Sequence, residues 1–303
     1  MANILINSFS FLLTILIAFG LKKVGLFKQE DGKILAKIFV YITLPATIIV
    51  GLNGTRFSLI SLGLIGIGFI VNVILAFIGY FVGRNQSVEK KGMTMLMVSS
   101  LNIGGFGIPF IQLFLPSALV YAGVFDIGNS LMVTGGTLVM TEEMTKKEKA
   151  GFAISDIVKK LASSPIFMVY LLMVIVSIFG LTIPEPALPP LRFLASANSF
   201  LSMFTIGLFL RVNLHKDGWA TVRRILLTRY TCLILFAVGI YFFLPVSLFL
   251  RQVLVLLFLA PIANLAVLQA AEFSGDEGMC GLVSSLAIMI SLALMSGAML
   301  LMS

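Results

Sequence analysis

The sequence predicts an all-helical integral membrane protein, with ten transmembrane helices in two halves of five that run in opposite orientations. The composition, the number of long apolar segments and a break that recurs in both halves predict this fold. Hydrophobic residues make up 59% of the 303-residue chain and charged residues only 11%, whereas an ordinary soluble domain has about 25% charged residues. The mean hydropathy is +1.09. Such a composition excludes a soluble enzyme, a disordered protein and a nucleic-acid-binding domain.

The apolar segments have the length that a membrane helix requires. A bilayer core about 30 Å thick needs roughly 20 apolar residues in a helix. Ten such segments lie along the chain, at 4–21, 33–52, 58–83, 92–115, 118–140, 163–181, 191–210, 221–244, 249–272 and 278–300. We expect the first to be a membrane span and not a cleaved signal peptide, because no basic residue precedes it and Lys22 and Lys23 follow it. The seventh is the least apolar, since several Ser, Thr and Asn residues dilute it.

The basic residues predict how these helices are oriented. Sixteen of the 21 Lys and Arg residues lie in or beside the loops after segments 1, 3, 5 and 7. The loops on the opposite side carry three, which are Arg56, Arg192 and Arg251. Cytoplasmic loops of membrane proteins carry the excess of Lys and Arg. We therefore expect a multi-pass protein of the cell membrane with both termini outside the cytoplasm.

A break in the fourth segment recurs in the ninth. The fourth contains Asn102-Ile-Gly-Gly-Phe-Gly-Ile-Pro109 and the ninth contains Ala260-Pro-Ile-Ala-Asn264, and corresponding segments of the two halves start about 160 residues apart. This spacing predicts a first repeat at 1–140, a cytoplasmic connector at 141–162 and a second repeat at 163–303. An odd number of helices in each half inverts the second. Inverted repeats with a broken helix in each are typical of secondary transporters.

The two breaks supply candidate substrate-binding residues. Both contain an Asn, whose amide is a donor and an acceptor, and both place a half-helix N-terminus within the membrane. Such ends favour anions, whereas the C-terminal ends at the same crossing favour cations, so the sign of the ligand's charge stays open at this point. The predicted substrate-binding residues are Asn102, Gly104, Gly107, Pro109, Pro261 and Asn264.

One acidic residue, Asp126, lies deep in a predicted span and shares a helical face with Asn129. A charge at this depth is costly and usually marks a transport pathway or a proton relay. We predict that Asp126, Asn129 and Lys37 take part in coupling transport to protons. The alternative is that Asp126 is a structural acid paired with Lys37 or Arg229, which are also embedded.

The chain resembles the auxin efflux carrier family, which includes plant PIN proteins and bacterial permeases for malate and related carboxylates. The similarity is densest in the two broken segments and in Tyr121-Ala-Gly-Val-Phe-Asp-Ile-Gly-Asn-Ser130. It implies a fold like that of bile acid–sodium symporters, with helices 4 and 9 broken and crossing. Helices 1, 2, 6 and 7 would form a scaffold, and helices 3–5 and 8–10 a transport core that moves like an elevator. The resemblance also implies a carboxylate substrate. Glu272 is expected either to cap the helix end at the membrane interface or to form a Na⁺ site with Asn102 and Gln269, as similar positions do in bile acid symporters.

These features predict a carrier for a small organic anion, either malate-like or auxin-like. The alternatives are a Na⁺-coupled symporter and, less favoured, a channel. We expect no enzymatic activity, because one loop His and two isolated Cys residues form neither a catalytic group nor a metal site. We expect no cofactor beyond a coupling H⁺ or Na⁺, and no partner beyond the substrate, the bilayer and a second copy docked through scaffold helices.

Overall fold

The computed structural model describes residues 2–146, 158, 159, 161–210 and 218–302. The helices that position the site are, in chain order, α1 (Ala2–Lys23), α2 (Gln29–Leu52), α3 (Leu59–Val82), α4 (Val88–Val98), α5 (Ile103–Phe114), α6 (Pro116–Thr145), α7 (Pro165–Ile178), α8 (Glu185–Phe209), α9 (Trp219–Phe243), α10 (Leu248–Phe258), α11 (Asn264–Ser274) and α12 (Glu277–Met302). Within these ranges the β pairing is limited to an isolated bridge between Leu101 and Ile262.

The helices have the lengths and composition of a multi-pass membrane protein. Seven of them, α1, α2, α3, α6, α8, α9 and α12, are long and apolar enough to cross a bilayer, and α5, α7 and α10 are shorter and apolar. Eight of the predicted segments each fall on one helix. The segments predicted at 92–115 and 249–272 are instead divided, the first into α4 and α5 and the second into α10 and α11.

Part of the sequence-based prediction lies outside the described residues. This applies to most of the connector predicted at 141–162, and to five of the basic residues counted above, Lys147, Lys149, Lys160, Arg211 and Lys216.

Three of the helices contain a wider π-helical turn, at Phe39–Thr43 in α2, Ile103–Gly107 in α5 and Met132–Gly136 in α6. Such turns disrupt the regular ladder of hydrogen bonds and are frequent at functional sites. The turn in α5 follows the break directly, and the turn in α6 lies one residue beyond the end of the Tyr121–Ser130 motif. Irregular backbone is therefore concentrated around the break in α4 and α5.

The polar residues of the seventh segment contact α5. Ser199 donates a hydrogen bond to the carbonyl of Pro109 (3.0 Å), and Ser202 donates one to the carbonyl of Gly105. Asn198 is fully buried and donates to the side chain of Gln112 (3.2 Å). The polarity that made this segment the least apolar therefore serves a helix–helix contact inside the protein.

Glycine allows α3 and α6 to pack closely. A Cβ atom on Gly68 would overlap the carbonyl oxygen of Phe125, and one on Gly128 would overlap that of Ile65. Small residues at helix interfaces let membrane helices approach in this way. By contrast, a Cβ atom on Gly63 or Gly66 would meet no atom within 4 Å. Of the three glycines in the Gly63–Gly68 run, Gly68 is therefore the one required by packing.

We predict that Gly68→Ala lowers the stability of the protein by about 1–3 kcal/mol, the usual cost of forcing an extra carbon into a packed interface. Gly63→Ala is the matched control. It should be neutral or stabilising by about 0.5–1 kcal/mol, because alanine is the better helix former. Thermal unfolding of the purified variants in detergent measures the difference. Equal melting temperatures for the two variants would contradict the close α3–α6 contact.

Candidate functional site at the crossing of the two broken helices

The two breaks meet in the interior and are joined by backbone hydrogen bonds. The amide of Asn102 donates to the carbonyl of Pro261 (2.8 Å), and the amide of Ala263 donates to the carbonyl of Ser100 (3.2 Å). The helices on either side also pack across the crossing, α4 against α11 and α10 against the first turn of α5. The N-terminal ends of α5 and α11 and the C-terminal ends of α4 and α10 therefore converge on one small region.

Arg229, from α9, holds the two C-terminal ends. Its side chain has 0% exposure, and its guanidinium group donates to the carbonyls of Val98 (2.8 Å) and Ser99 (2.6 Å) at the end of α4. The same group donates to the carbonyl of Ala260 (3.0 Å), just beyond α10. One charged side chain thus satisfies backbone acceptors that both broken helices leave without helical partners.

Two buried asparagines hold the backbone of the first break. Asn72, from α3, accepts a hydrogen bond from the amide of Ser100 (2.8 Å), where the backbone is left-handed with a φ of 61°. Asn129, from α6, accepts from the amide of Leu101 (3.3 Å) and donates to its carbonyl (2.9 Å). Asn72 also donates to Asn129 (3.0 Å). Because a buried backbone group without a partner is costly, these amides stabilise a turn that has no regular secondary structure.

Asp126 is linked to the crossing through Asn129. Its side chain is 3% exposed, and it accepts hydrogen bonds from Asn129 (2.8 Å) and from the hydroxyl of Tyr170 (2.7 Å) in α7. A Cβ atom on Gly104 would lie 3.4 Å from its Oδ2 atom, so the carboxyl group lies against the first turn of α5. The predicted structural alternative differs from this arrangement, since neither Lys37 nor Arg229 is among its hydrogen-bond partners.

Two polar groups at the crossing have no side-chain hydrogen-bond partner among the described residues. The Oδ1 atom of Asn102 accepts from the amide of Gly105 (3.0 Å), but its Nδ2 atom is buried and has no hydrogen-bond partner among the described residues. The N-terminus of α11 has no side-chain cap within the described chain, and its first residue, Asn264, is exposed. Free amide groups at such an end attract anions.

The other predicted substrate residues pack around these groups. Pro261 is buried and supplies the carbonyl that binds Asn102. Pro109 lies in the first α-helical turn after the π turn, and its carbonyl accepts from Ser199 (3.0 Å). A Cβ atom on Gly107 would make ordinary contacts with Ile103 and Leu257. Pro109, Pro261 and Gly107 therefore shape the backbone of the crossing rather than point a polar side chain into it.

The hydrogen bonds described for the predicted Na⁺ ligands go to other residues. Gln269 is buried and donates to the carbonyls of Val133 (3.3 Å) and Thr134 (3.4 Å) in the π turn of α6, while its Oε1 atom has no partner in the described residues. Glu272 is exposed. Lys37, predicted to act with Asp126, is also exposed.

Sequence analysis missed Asn72 and Tyr170, and it considered Arg229 only as an alternative partner of Asp126. Arg229 and Asp126 are the two Asp, Glu, Lys or Arg side chains that are buried in the described part of the chain. One indication of Asn72 and Tyr170 was available in the sequence, which is that each is a polar residue within an apolar segment. Their partners lie 28 and 44 residues away, so the contacts depend on the tertiary fold.

Comparison with known proteins supports membrane transport as the general class of activity. No family model matches the chain. It is 28% identical over 295 residues to a protein of Methanothermobacter thermautotrophicus, covering 95% of each chain. It is also 27% identical over 227 residues to a protein of Methanocaldococcus jannaschii, covering 71% of this chain and 72% of the relative. Both relatives are named uncharacterized transporters, which agrees with the prediction of a transporter rather than an enzyme.

Proposed function

We propose that the protein is a secondary active transporter that carries a small organic anion, such as malate or an auxin-like acid, across the cell membrane. The observation that carries this proposal is the pair of available groups at the crossing. One group is the Nδ2 atom of Asn102, which has no hydrogen-bond partner in the described residues, and the other is the uncapped N-terminus of α11. The two backbone segments that carry them are joined by the hydrogen bond from Asn102 to Pro261. Both present N–H donors, and carboxylate oxygens are acceptors. The resemblance to auxin efflux carriers supports the same class of substrate.

A binding screen tests the substrate class. Thermal-shift measurements on the purified protein would compare carboxylates and indole acids with their neutral amides, at two pH values and with or without Na⁺. We expect an acid to raise the melting temperature where its amide does not, since the amide removes the negative charge. A protein stabilised equally by acid and amide would not be an anion carrier.

We predict that Asn102→Ala or Asn264→Ala weakens binding of that acid by about 1–3 kcal/mol, the cost of losing a hydrogen bond to a charged group. Asn53→Ala is the matched control, because its side-chain amide accepts from the backbone amide of Ile183 (2.8 Å), outside the crossing. Isothermal titration or transport competition measures the three affinities. If both crossing variants bind the acid as the native protein does, the amides are structural and the site lies elsewhere.

The transport cycle that we propose is an elevator motion between two inverted repeats of five helices. In the proposed ten-span topology, both termini lie outside the cytoplasm, and α4 with α5, and α10 with α11, each count as one broken span. The scaffold would consist of α1, α2, α7 and α8, and the transport core of the remaining helices. Several of the described contacts would then join the core to the scaffold, among them those from Asn198 to Gln112 and from Tyr170 to Asp126.

Cross-linking distinguishes motion from a static assembly. In a variant whose two cysteines are replaced by serine, Gln112→Cys with Asn198→Cys would join α5 of the core to α8 of the scaffold. We predict that a short thiol cross-linker then abolishes transport. The control pair, Thr43→Cys with Asn198→Cys, joins α2 to α8 within the scaffold, where Thr43 donates to Asn198 (3.3 Å), and should leave transport unchanged. Full transport by the cross-linked α5–α8 pair would contradict the elevator.

We further propose that Asp126 couples anion transport to a proton. Its carboxyl group lies against the first turn of α5, where the helix end carries a partial positive charge. An ionised Asp126 therefore competes with a substrate anion for the same field, and a proton on Asp126 removes the competition. Asn129 donates hydrogen bonds both to Asp126 and to the backbone of the break. A change in the protonation of Asp126 can therefore reach the crossing through this one side chain. We place Lys37 at the exposed end of this route.

A second candidate is coupling to Na⁺ through Asn102, Gln269 and Glu272. The observation in its favour is the buried Oε1 atom of Gln269, which has no partner in the described residues. The exposure of Glu272 and the separate contacts of the three side chains favour the proton instead.

We predict that a pH gradient drives uptake of the anion from the acidic side into proteoliposomes, and that Asp126→Asn removes this response but retains anion exchange. Asparagine preserves the size of the side chain but cannot take up the proton. Glu143→Gln, which makes the same chemical change on an exposed residue of α6, should respond as the native protein does. Imposing a Na⁺ gradient alone tests the second candidate. A normal pH response of Asp126→Asn would make Asp126 a structural residue.

A further inference from the structure

At the crossing, the negative helix ends are neutralised more completely than the positive helix ends. The C-terminal ends of α4 and α10 each carry roughly half a negative elementary charge. Together they amount to about one negative charge, and the single positive charge of Arg229 lies on their carbonyls at 2.6–3.0 Å. Five backbone carbonyls of the two broken helices accept hydrogen bonds from this guanidinium group, those of Met97, Val98, Ser99, Ser100 and Ala260.

Of the two N-terminal ends at the same crossing, that of α11 has no equivalent charged partner in the described hydrogen bonds. The first turn of α5 has a neutral cap, the side chain of Asn102, and α11 has no side-chain cap in the described chain. Asp126 is the one buried acid among the described residues, and it lies only against the α5 end. Because Arg229 cancels the negative ends and Asp126 lies against the α5 end, the positive partial charge that remains is that of the α11 N-terminus.

We propose that Arg229 is the resident counter-cation of the crossing and the residue that makes the site select anions. This inference rests on the proposed function and deepens it, because the crossing geometry alone offers ends of both signs. A fixed guanidinium group occupies the carbonyl ligands that a soluble cation would otherwise require. Its removal leaves a buried, carbonyl-lined position that attracts cations and weakens the positive field at the α11 end.

The role of Arg229 itself is tested by chemical rescue, without a substrate. Arg229→Ala should lower the melting temperature of the purified protein, and millimolar guanidinium should restore part of the loss by occupying the vacated position. Urea has a similar planar shape without the charge and should not restore it. Arg251→Ala is the matched control, because Arg251 also donates to a backbone carbonyl, that of Tyr241 (3.0 Å), but lies away from the crossing. Guanidinium should not raise the melting temperature of this control or of the native protein.

Anion selection is tested by comparing each acid with its own amide, indole-3-acetate with indole-3-acetamide and L-malate with malamide. Arg229→Gln keeps amide donors but loses the charge, and it should reduce the preference for acid over amide about tenfold or more, the scale of an interaction with a buried charge. Arg229→Lys keeps the charge without the planar group and should retain the preference. This pair of variants also provides the test if Arg229→Ala cannot be purified in a folded form.

Three results would overturn the proposal. They are rescue of Arg229→Ala by urea as effectively as by guanidinium, a folded Arg229→Ala variant that guanidinium does not stabilise, and an unchanged acid preference in Arg229→Gln. A native protein that binds neither acid would instead contradict the proposed anion transport. The rescue measurement would still determine whether Arg229 is the counter-cation, so the two failures are distinguishable.

Discussion

The structure depends on one constraint, which is that backbone polar groups at membrane depth need partners inside the protein. Two helices of this chain are interrupted in the interior, and each interruption leaves carbonyl and amide groups that a continuous helix would pair. In the described residues, the carbonyl and amide groups of the first break form hydrogen bonds mainly with the side chains of Asn72, Asn129 and Arg229 and with the backbone of the second break. Since hydrocarbon supplies no alternative partner, α3, α6 and α9 must pack where these side chains can reach the break.

The same constraint explains which features of the fold could be predicted from sequence. The apolar segments and their breaks are local properties, so the predicted bounds agree with α1, α3, α9 and α12 to within three residues at each end. The breaks were visible because Gly, Pro and Asn interrupt apolar runs. The packing of α3 against α6 through Gly68 was not predictable in detail, since Gly63 and Gly66 have the same local sequence character but face open space.

The residues of the candidate site could be predicted from the sequence where a polar side chain interrupts an apolar segment. Asn102, Asp126 and Asn129 are conspicuous in apolar segments, and all three lie at or beside the crossing. Their partners were not predictable. Arg229 entered the sequence analysis only as an alternative partner of Asp126, because an ion pair is the simplest way to bury a charge. It instead binds helix carbonyls, whose partial charges do not appear in a count of acidic and basic residues.

The hydrogen-bond partners of Asp126 link it both to the break between α4 and α5 and to α7. Asn129 donates through one Nδ2 atom both to Asp126 and to the carbonyl of Leu101, while Tyr170 reaches Asp126 from α7. A protonated carboxyl group gains a donor and is a weaker acceptor than an ionised one, so its hydrogen bonds with both neighbours change. A proton on Asp126 therefore changes a contact with the break and a contact with α7 together. In the proposed division, α7 belongs to the scaffold, so one protonation event acts on both the binding site and the surface along which the core must move.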